Sequence, residues 1–237
     1  MSSSTDLPHG NRLLDLLSAS DRAELVPHLE TERLELKQVL FEPGKRLDHV
    51  YFPITAVVSL LNLVEQDSGV EIATVGNEGL VGLPISWGIT TLNPREIVQA
   101  QVPGEALVMD PETFADKAAE GGGFAEVVHL YTQAFVTQIA QQVACNGLHS
   151  IEERCARWML LTHDRVGADE FPLTQEFLAQ MLGVRRPSVT VVAGILQEGG
   201  FIRFRRGRIT VTDRQGLENV SCECYRVLRE VFDRLLA

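Results

Sequence analysis

The sequence lacks a long hydrophobic run, a secretory signal and a cysteine framework. Its apolar runs fall well short of the roughly 18 residues that cross a membrane. The opening segment MSSSTDLPHGNR has neither the basic residues nor the apolar core of a signal peptide. Four cysteines in 237 residues are too few to staple a secreted fold. We therefore expect a soluble, cytoplasmic protein with no membrane partner.

Sequence signatures of enzymes are also missing. The chain contains no serine-hydrolase elbow, no phosphate-binding P-loop and no pair of candidate catalytic carboxylates. A metal-dependent enzyme built on a β-barrel needs clustered histidines and a carboxylate, and residues 32–109 contain only His49. We therefore expect no enzymatic activity, no catalytic residues and no cofactor.

Positive charge is scarce overall but is concentrated in one segment. The net charge is -11, and residues 1–150 contain 8 Lys and Arg against 20 Asp and Glu. Between Arg185 and Arg214 there are seven arginines and only two acidic residues. This pattern favours nucleic-acid binding, because affinity depends on local neutralisation of phosphates rather than on net charge. The alternative is that the arginines only solvate one face of the protein.

Residues 32–109 have the pattern of an antiparallel β-sheet domain. Before them, the leucines between Leu13 and Leu29 predict short helices that are interrupted near Ser20 and Pro27. Six short runs rich in valine, isoleucine and leucine then alternate with turn signals, which favours a sandwich or a barrel. These runs are Val39–Phe41, Val50–Phe52, Ala56–Leu63, Glu71–Val75, Ile97–Val102 and Ala106–Met109.

Helices with recognisable starts follow the strands. Asp110 can cap a helix whose first residue is Pro111, and Gly121–Gly123 end that helix. Ser150 starts another helix that runs to Val166, and we place a domain boundary at this start.

A long helix is predicted between these two, from Phe124 to about Asn146. One stripe of apolar residues runs along it at steps of three and four, as in an amphipathic helix. Further apolar residues beside the stripe make it a candidate dimer interface. Packing of the same stripe on the strand domain is an equal alternative. The stripe consists of Phe124, Val128, Tyr131, Phe135 and Ile139.

The segment that begins at Leu173 predicts a helix-turn-helix motif. Thr174 caps a first helix, Gly183 provides the tight turn, and a second helix begins at about Arg186. In such motifs the second helix enters the DNA major groove by its N-terminal end. The residues of this helix that are expected to face inward are Val189, Val192, Ile195 and Leu196.

A β-hairpin after the second helix predicts a wing. Its strands, Phe201–Phe204 and Arg208–Val211, are joined by the turn Arg205-Arg206-Gly207. Arginine forks bind guanine, so Arg185 or Arg186 is the expected base contact, whereas hydroxyl and amide groups near helix starts bind phosphates. Thr174 is equally explained as a helix cap alone. The predicted DNA-binding residues are Thr174, Gln175, Arg185, Arg186, Ser188, Thr190, Arg205, Arg206 and Arg208.

From about Leu13 to Val211, this order of elements resembles the Crp/Fnr family of bacterial transcription regulators. The winged-helix segment carries most of the resemblance, and SIEERCARWMLLTHDR (Ser150–Arg165) is similar to the family's linker helix. The resemblance implies an α+β fold with an N-terminal antiparallel β-roll of the cyclic-nucleotide-binding kind, a cupin-like double-stranded jelly roll. A long dimerisation helix and a C-terminal winged helix-turn-helix follow. The implied domains are residues 13–120, 121–149 and 150–237.

The resemblance also implies a homodimer that binds palindromic promoter DNA and contacts RNA polymerase. In members that bind cyclic nucleotides, a Gly-Glu pair is followed closely by an arginine, but here Arg95 lies far along the chain from Glu78 and precedes Glu96. We therefore expect a pocket at Glu78 and Arg95 for an effector other than cyclic AMP, or no effector. Pro187 and Val191 replace charged residues of the family's recognition helix, which predicts a different operator. The alternative is constitutive DNA binding, with the roll serving only as a dimer scaffold.

The cysteines leave one further hypothesis open, a metal or redox sensor. Cys222-Glu223-Cys224 is a pair that such chemistry can use, although the spacing of the four cysteines fits no standard zinc pattern. An iron–sulfur sensor of the family's oxygen-responsive branch needs cysteines near the N-terminus, and none precedes Cys145. Buried small hydrophobic side chains are the simpler interpretation of Cys145 and Cys155, so we predict no metal ligand.

Overall fold

The structure is a computed structural model that describes residues 10–65 and 68–236. Most of the opening segment that argues against a secretory signal lies outside the described residues. Helices α1 (Arg12–Asp15) and α2 (Ala19–Leu25) come first, and a short 3₁₀ turn over Val26–His28 follows. The predicted interruptions near Ser20 and Pro27 are confirmed. Residues 16–18 separate the two helices, Ser18 caps α2 by accepting the amide of Asp21, and the 3₁₀ turn contains Pro27.

Seven antiparallel strands form the predicted strand domain, called the roll below. They are β1 (Glu30–Leu34), β2 (Val39–Phe41), β3 (Val50–Pro53), β4 (Val57–Glu65), β5 (Ser68–Val75), β6 (Glu96–Val102) and β7 (Gly104–Met109). One sheet has the order β1-β7-β3 and the other β2-β6-β4-β5. All six predicted strands are confirmed, with β5 starting earlier than expected. Strand β1 was not predicted because Leu34 is its only apolar residue, as suits an edge strand.

The two sheets of the roll share one hydrophobic core. Phe52 and Leu107 from the first sheet and Val58 and Val98 from the second belong to the same cluster of buried side chains. This core is extended by Phe114 from the helix that follows the strands. The sandwich predicted from the alternation of short strands and turns is therefore confirmed.

Three helices follow the roll, namely α3 (Pro111–Ala119), α4 (Gly122–Leu148) and α5 (Ile151–Val166). Asp110 caps α3 as predicted by accepting the amide of Thr113. Helix α4 does not end at Asn146, because the helical hydrogen bonds continue to the amide of His149. Ser150 and Glu153 then form a reciprocal capping box that starts α5.

The remaining elements form the winged helix-turn-helix domain, called the winged domain below (residues 151–220 with α5). They are β8 (Glu170–Pro172), α6 (Gln175–Leu182), α7 (Arg186–Glu198), β9 (Ile202–Arg205), β10 (Arg208–Val211) and α8 (Arg214–Val220). Strand β8 was not predicted, and it pairs with β10 to make a three-stranded sheet with β9. Val189, Val192 and Leu196 are buried as expected, whereas the prediction for Ile195 is wrong because its side chain is 44% exposed.

A final helix, α9 (Cys224–Leu235), leaves the winged domain and packs along α4. Phe232 near its end is buried in the core of the roll. Arg12 of α1 and Asp233 of α9 approach to 3.7 Å. The expected domain 150–237 therefore includes a helix that contacts α4 and the roll as well as the winged domain, whose core contains Tyr225.

A buried ion pair joins the roll to the winged domain. Glu78, in the loop after β5, lies 2.7 Å from the guanidinium of Arg165 at the end of α5, and both side chains are almost fully buried. Arg165 also donates to the backbone carbonyl of Thr74. In the same loop a Cβ on Gly79 would lie 2.3 Å from Tyr131 of α4, so only glycine allows this close approach. Three units of the fold thus meet at one loop.

Among residues 10–65 and 68–236, no helix combines the length and the apolar character needed to cross a lipid bilayer.

Removal of the buried carboxylate should destabilise the fold strongly. We expect Glu78→Ala to lower the free energy of unfolding by about 3–5 kcal/mol, because it leaves the Arg165 guanidinium buried without its partner. Urea denaturation measures this change. Adding Arg165→Met should restore much of the loss, whereas Glu112→Ala, in an exposed pair with Arg46, should change stability by less than about 1 kcal/mol. Equal small effects of Glu78→Ala and Glu112→Ala would contradict this expectation.

Candidate nucleic-acid interface and neighbouring sites

The helix-turn-helix consists of α6 and α7, which are joined by a turn at Gly183. Thr174 caps α6 by accepting the amide of Phe177, and Gly183 ends α6 with a positive φ of 64°. A Cβ on Gly183 would also lie 3.1 Å from the side chain of Val70 in β5, so the turn sits directly against the roll. Helix α7 begins after the extended residue Arg185, whose side chain makes no capping bond within the described residues. Pro187 has no amide proton and the amide of Ser188 donates to the carbonyl of Arg185 at 3.0 Å, so this end of α7 offers side chains rather than a row of free amide groups.

The wing brings further arginines beside these helix starts. Strands β9 and β10 pair Arg205 with Arg208, and a two-residue turn with positive φ at Arg206 (51°) and Gly207 (74°) joins them. Such turns match the twist of a hairpin. The amide of Leu173, just before α6, donates to the carbonyl of Gly207 at 2.9 Å. The tip of the wing therefore lies next to the start of α6.

Contacts between α6 and α7 bring the two helix starts together. The hydroxyl of Thr190 donates to the side-chain oxygen of Gln175 at 2.8 Å. Arg186 lies 3.6 Å from Glu176 of α6. With the wing contact above, the structure brings the nine predicted residues to one side of the winged domain. We call this surface the arginine face, and it comprises Thr174, Gln175, Arg185, Arg186, Ser188, Thr190, Arg205, Arg206 and Arg208.

Exposure and pairing distinguish the members of the arginine face. Its five arginines are all exposed, whereas Ser188 and Gln175 are half-buried. Arg186 and Arg208 each have one carboxylate nearby, Glu176 and Glu170 respectively. Exposed pairs of this kind are weak and exchange readily for other anions.

Two apolar side chains lie on the outer surface of α7: Val191, which the sequence linked to the operator, and Ile195, for which it predicted burial. Val191 is 64% exposed and Ile195 is 44% exposed, one helical turn apart. Val191 and Ile195 fall one turn and two turns after the exposed Pro187, a spacing that identifies Ile195 as an outward residue. Apolar side chains at such positions can contact thymine methyl groups.

The predicted dimer stripe on α4 faces the interior of its own chain. Phe124, Val128 and Tyr131 are each exposed by 5% or less and belong to the core of the roll. Phe135 and Ile139 are half-buried. The prediction is therefore wrong for the three buried residues, because they leave no surface for a partner. The stripe packs against the roll, which is the alternative that the periodicity left open.

The predicted effector residues do not form a pocket. Glu78 follows β5, near the Val58–Val75 end of the β4–β5 ladder, whereas Arg95 precedes β6 near the Asn62–Glu96 end of the β4–β6 ladder. The guanidinium of Arg95 donates to the carbonyl of Val64, and the carboxylate of Glu78 is occupied by Arg165. The two residues therefore lie at opposite ends of the same sheet, and the prediction is corrected.

Glu78 instead lines a cavity of about 260 Å³ where the roll, α5 and α9 meet. Its charged lining is internally paired: Arg165 with Glu78, Arg214 with Asp164, and both Arg12 and Arg229 with Asp233. The N···O distances are 2.7, 2.7, 3.7 and 3.7 Å. The cavity thus combines four guanidinium groups with three carboxylates.

A second buried polar network connects the roll to α5. The carboxylate of Glu71 in β5 accepts hydrogen bonds from Ser59 at 2.6 Å and from the indole of Trp158 at 2.8 Å. Gln101 in β6 donates to Thr162 of α5 at 3.1 Å. Burial raises the pKa of Glu71, and the donated hydrogen bonds oppose this shift only in part.

Three cysteines that lie far apart in the sequence meet below the winged domain. Cys145 and His149 at the end of α4 face Cys222 and Cys224 at the start of α9. The hydrogen bond with Cys222 lowers the pKa of the Cys145 thiol below its ordinary value. Cys155 lies elsewhere, in the hydrophobic core of the winged domain, as expected of a buried small side chain.

Comparison with known proteins identifies proteins similar to the winged domain in sequence and to the whole chain in fold. Residues 153–220 match the model of the Crp-like helix-turn-helix domain. FixK2 from Bradyrhizobium japonicum is similar with a TM-score of 0.68 at 16% identity, over 82% of this chain and 98% of that chain. No curated protein matches the sequence.

Two further solved structures have the same arrangement. A CRP/FNR-family transcriptional regulator from Thermus thermophilus has a TM-score of 0.63 at 20% identity, over 81% of this chain and 98% of that chain. The c-di-GMP-responsive global regulator CLP from Xanthomonas campestris has a TM-score of 0.64 at 15% identity, over 82% and 99%. The chain therefore has the fold of Crp/Fnr transcription regulators, with a Crp-like helix-turn-helix.

Neutralising Glu71 should change how stability depends on pH. Because its folded-state pKa is raised, this group contributes stability that is fully present below the ordinary value of 4.5 and is lost as pH rises through the raised pKa. Glu71→Gln keeps an acceptor for Trp158 without a buried charge. We expect the variant to be more stable than the parent at neutral pH, by an amount on the order of 1 kcal/mol.

Urea unfolding at acidic, neutral and alkaline pH measures this difference, with the exposed Glu35→Gln as the matched control. The advantage of Glu71→Gln should shrink towards acidic pH, while the control should follow the parent. A variant that is weaker than the parent by the same amount at every pH would show that the charged carboxylate stabilises the fold.

Proposed function

We propose that this chain is a sequence-specific, DNA-binding transcription regulator that acts as a homodimer on palindromic promoter DNA. The observation that carries the proposal is the arginine face, which places five exposed arginines around the start of α7 and the tip of the wing in a chain of net charge -11. Its placement on a Crp-like helix-turn-helix supports major-groove binding by α7. We assign residues 13–120 to a sensory roll, 121–149 to a dimerisation helix and the winged domain to DNA.

Base recognition is assigned to the first two turns of α7. Arg185 and Arg186 project from its N-terminal end, and an arginine fork matches the O6 and N7 acceptors of guanine. The exposed side chain of Val191 lies about one turn further along and suits contact with a thymine methyl group. Thr190 is held by Gln175, so its hydroxyl proton is already used within the protein.

Phosphate contacts are assigned to the periphery of the arginine face. The start of α6 at Thr174 and Gln175 offers a hydroxyl, an amide and free backbone amide groups. Arg205, Arg206 and Arg208 extend this surface along the wing. Such contacts are independent of sequence and sensitive to salt.

Dimerisation is assigned to the outer surface of α4 rather than to the buried stripe. From Val127 to Leu148 the helix contains no lysine, arginine, aspartate or glutamate. Val136 and Val143 are 57% and 69% exposed and lie seven residues apart, as in a helix–helix seam. Small residues, Ala140 and Gly147, lie on the same side and allow close approach.

Signal transfer is proposed to run from the roll through α5. The Glu78–Arg165 and Glu71–Trp158 contacts link the roll to the helix that begins the winged domain. An effector other than cyclic AMP, for which the paired cavity beside Glu78 is a candidate site, would shift these contacts and the spacing of two recognition helices. Half-sites lie about 34–36 Å apart, so small rotations alter the fit. Promoter-bound dimers would act on RNA polymerase, with no enzymatic step.

Substitutions on the arginine face should separate base recognition from phosphate binding. We expect Arg186→Ala to lose about 1–3 kcal/mol of discrimination at one base pair of each half-site. Arg205→Ala should weaken binding to all sequences and reduce the slope of log K against log salt by about 0.9. Selection from random DNA, followed by salt-titrated anisotropy, measures both. Arg46→Ala removes an exposed arginine from the roll and should change neither.

A palindromic site whose preference is unchanged in Arg186→Ala would contradict the assignment of base recognition. A selected site bound with equal affinity in every condition, and by an artificially dimerised winged domain, would favour constitutive binding with the roll as a scaffold.

The dimer interface can be tested by substituting exposed residues of α4 that lie outside the hydrophobic core of the chain. We expect Val136→Glu to convert the dimer to monomers at micromolar concentration, because two like charges would face each other across the two-fold axis. Analytical ultracentrifugation measures the change. Leu36→Glu places the same charge on an exposed apolar residue of the roll and should leave the dimer intact. A Val136→Glu variant that dimerises as tightly as the parent would contradict this interface.

A further inference from the structure

Four side chains with metal-binding atoms converge at the junction of α4 and α9. Their ligand atoms all lie within 4.8 Å of one another, and three of the four residues are buried. The Cys145 and Cys222 sulfurs are 3.5 Å apart, and the Cys224 sulfur is 3.5 Å from Nδ1 of His149. In a tetrahedral site with zinc–sulfur bonds of about 2.3 Å, neighbouring sulfurs lie about 3.8 Å apart. The two spacings of 3.5 Å are close to the edge of such a tetrahedron, and the remaining ones, up to 4.8 Å, would contract by side-chain adjustment when a metal binds.

The scaffold holds these residues in two pairs. Cys145 and His149 are four residues apart across the last turn of α4, so both project from one side of the helix. Cys222 and Cys224 bracket the entry into α9. Because both helices are packed against each other, the pairs face one another without any rearrangement of the backbone.

Outer contacts orient the ligands as in known metal sites. The Nε2 atom of His149 lies 3.4 Å from the carboxylate of Glu223, while Nδ1 points towards the thiols. This carboxylate–histidine pairing fixes the ring and increases its basicity. Gln141 donates a hydrogen bond from Nε2 to the sulfur of Cys224 at 3.0 Å. Both contacts come from side chains outside the four candidate ligands.

The local charge also favours a bound metal. A divalent cation with three thiolates and one neutral imidazole has a net charge of -1. Arg157 is only 2% exposed and interacts electrostatically with Cys145, and Arg154 does so with Cys145 and Cys222. The Nε atoms of Arg154 and Arg157 have no hydrogen-bond partner within the described residues. Buried cations next to the cluster are balanced by an anionic centre.

We propose that Cys145, His149, Cys222 and Cys224 form a closed, four-coordinate site for zinc or a similar thiophilic divalent cation. The convergence of four donors distinguishes this site from a dithiol pair, which would use only Cys145 and Cys222 and leave Cys224 and His149 without a role. On metal binding the thiols lose their protons to solvent, and the metal–sulfur bonds form without any change of oxidation state.

The position of the site gives it a structural consequence. His149 immediately precedes α5 and Cys222 follows α8, so the ligands flank the two ends of the winged domain. A metal would hold both ends at the base of α4. If the proposed function is correct, occupancy fixes how the DNA-binding domain leaves the dimerisation helix.

Reconstitution of the full chain with cobalt tests the site. The reduced, chelator-treated protein is titrated anaerobically with Co²⁺, whose tetrahedral thiolate complexes have characteristic visible and charge-transfer bands, and Zn²⁺ is then added. We expect one equivalent per chain, displacement by Zn²⁺ and a rise in thermal stability. Cys222→Ser should abolish the thiolate spectrum. Glu223→Gln should retain this spectrum but weaken the affinity for Co²⁺ by about 10–100-fold. Cys155→Ala is the matched control and should behave like the parent.

Circular dichroism establishes that each variant is folded. If Cys222→Ser does not fold, Glu223→Gln still tests the site. Four free thiols in a folded parent that binds no Co²⁺ would overturn the proposal. A spectrum that persists in Cys222→Ser, or a protein that yields only a Cys145–Cys222 disulfide, would also overturn it. These measurements use no DNA, so their outcome is separate from that of the proposed regulatory function.

Discussion

A single buried guanidinium organises the junction on which the whole architecture depends. Arg165 ends α5, and its charge is tolerable in the interior only because Glu78 and the carbonyl of Thr74 surround it. The loop that presents Glu78 also presents Gly79 to Tyr131 of α4. The roll, the long helix and the winged domain therefore meet at one short loop, and the Glu71–Trp158 contact and the Gly183 turn against Val70 reinforce this junction. The position of the arginine face relative to the roll and α4 therefore depends on the Glu78–Arg165 junction.

Local chemistry explains why so much of the fold was predictable. Strand alternation, the Asp110 and Ser150 caps and the Gly183 turn each act within a few residues, and each appears where the sequence indicates. The failures involve distance along the chain. The stripe on α4 is real, but only the neighbouring roll shows that Tyr131 faces inward. Glu78 and Arg95 both lie between β5 and β6 in the sequence, yet they are separated in space by the length of a sheet.

The candidate site divides in the same way. The residues of the arginine face are predictable because they lie in one continuous segment with its own turn and hairpin signals. The thiol cluster was not predictable, because the winged domain separates Cys145 from Cys222 in the sequence. The spacing of the cysteines does not reveal that the chain returns to the end of α4. Even within α7, Ile195 was misplaced, since a helix packed on one side only leaves a narrower buried strip than a four-residue apolar set suggests.

The return of α9 has a consequence for how the molecule comes into existence. Phe232 completes a core whose other members begin at Leu13, and Asp233 meets Arg12. During synthesis, the roll emerges from the ribosome before α9 and lacks this contribution until the winged domain between them has been translated. Contacts between such distant segments slow folding, because the loop entropy is lost before the contacts form. The roll is thus translated before the winged domain but completed only after it.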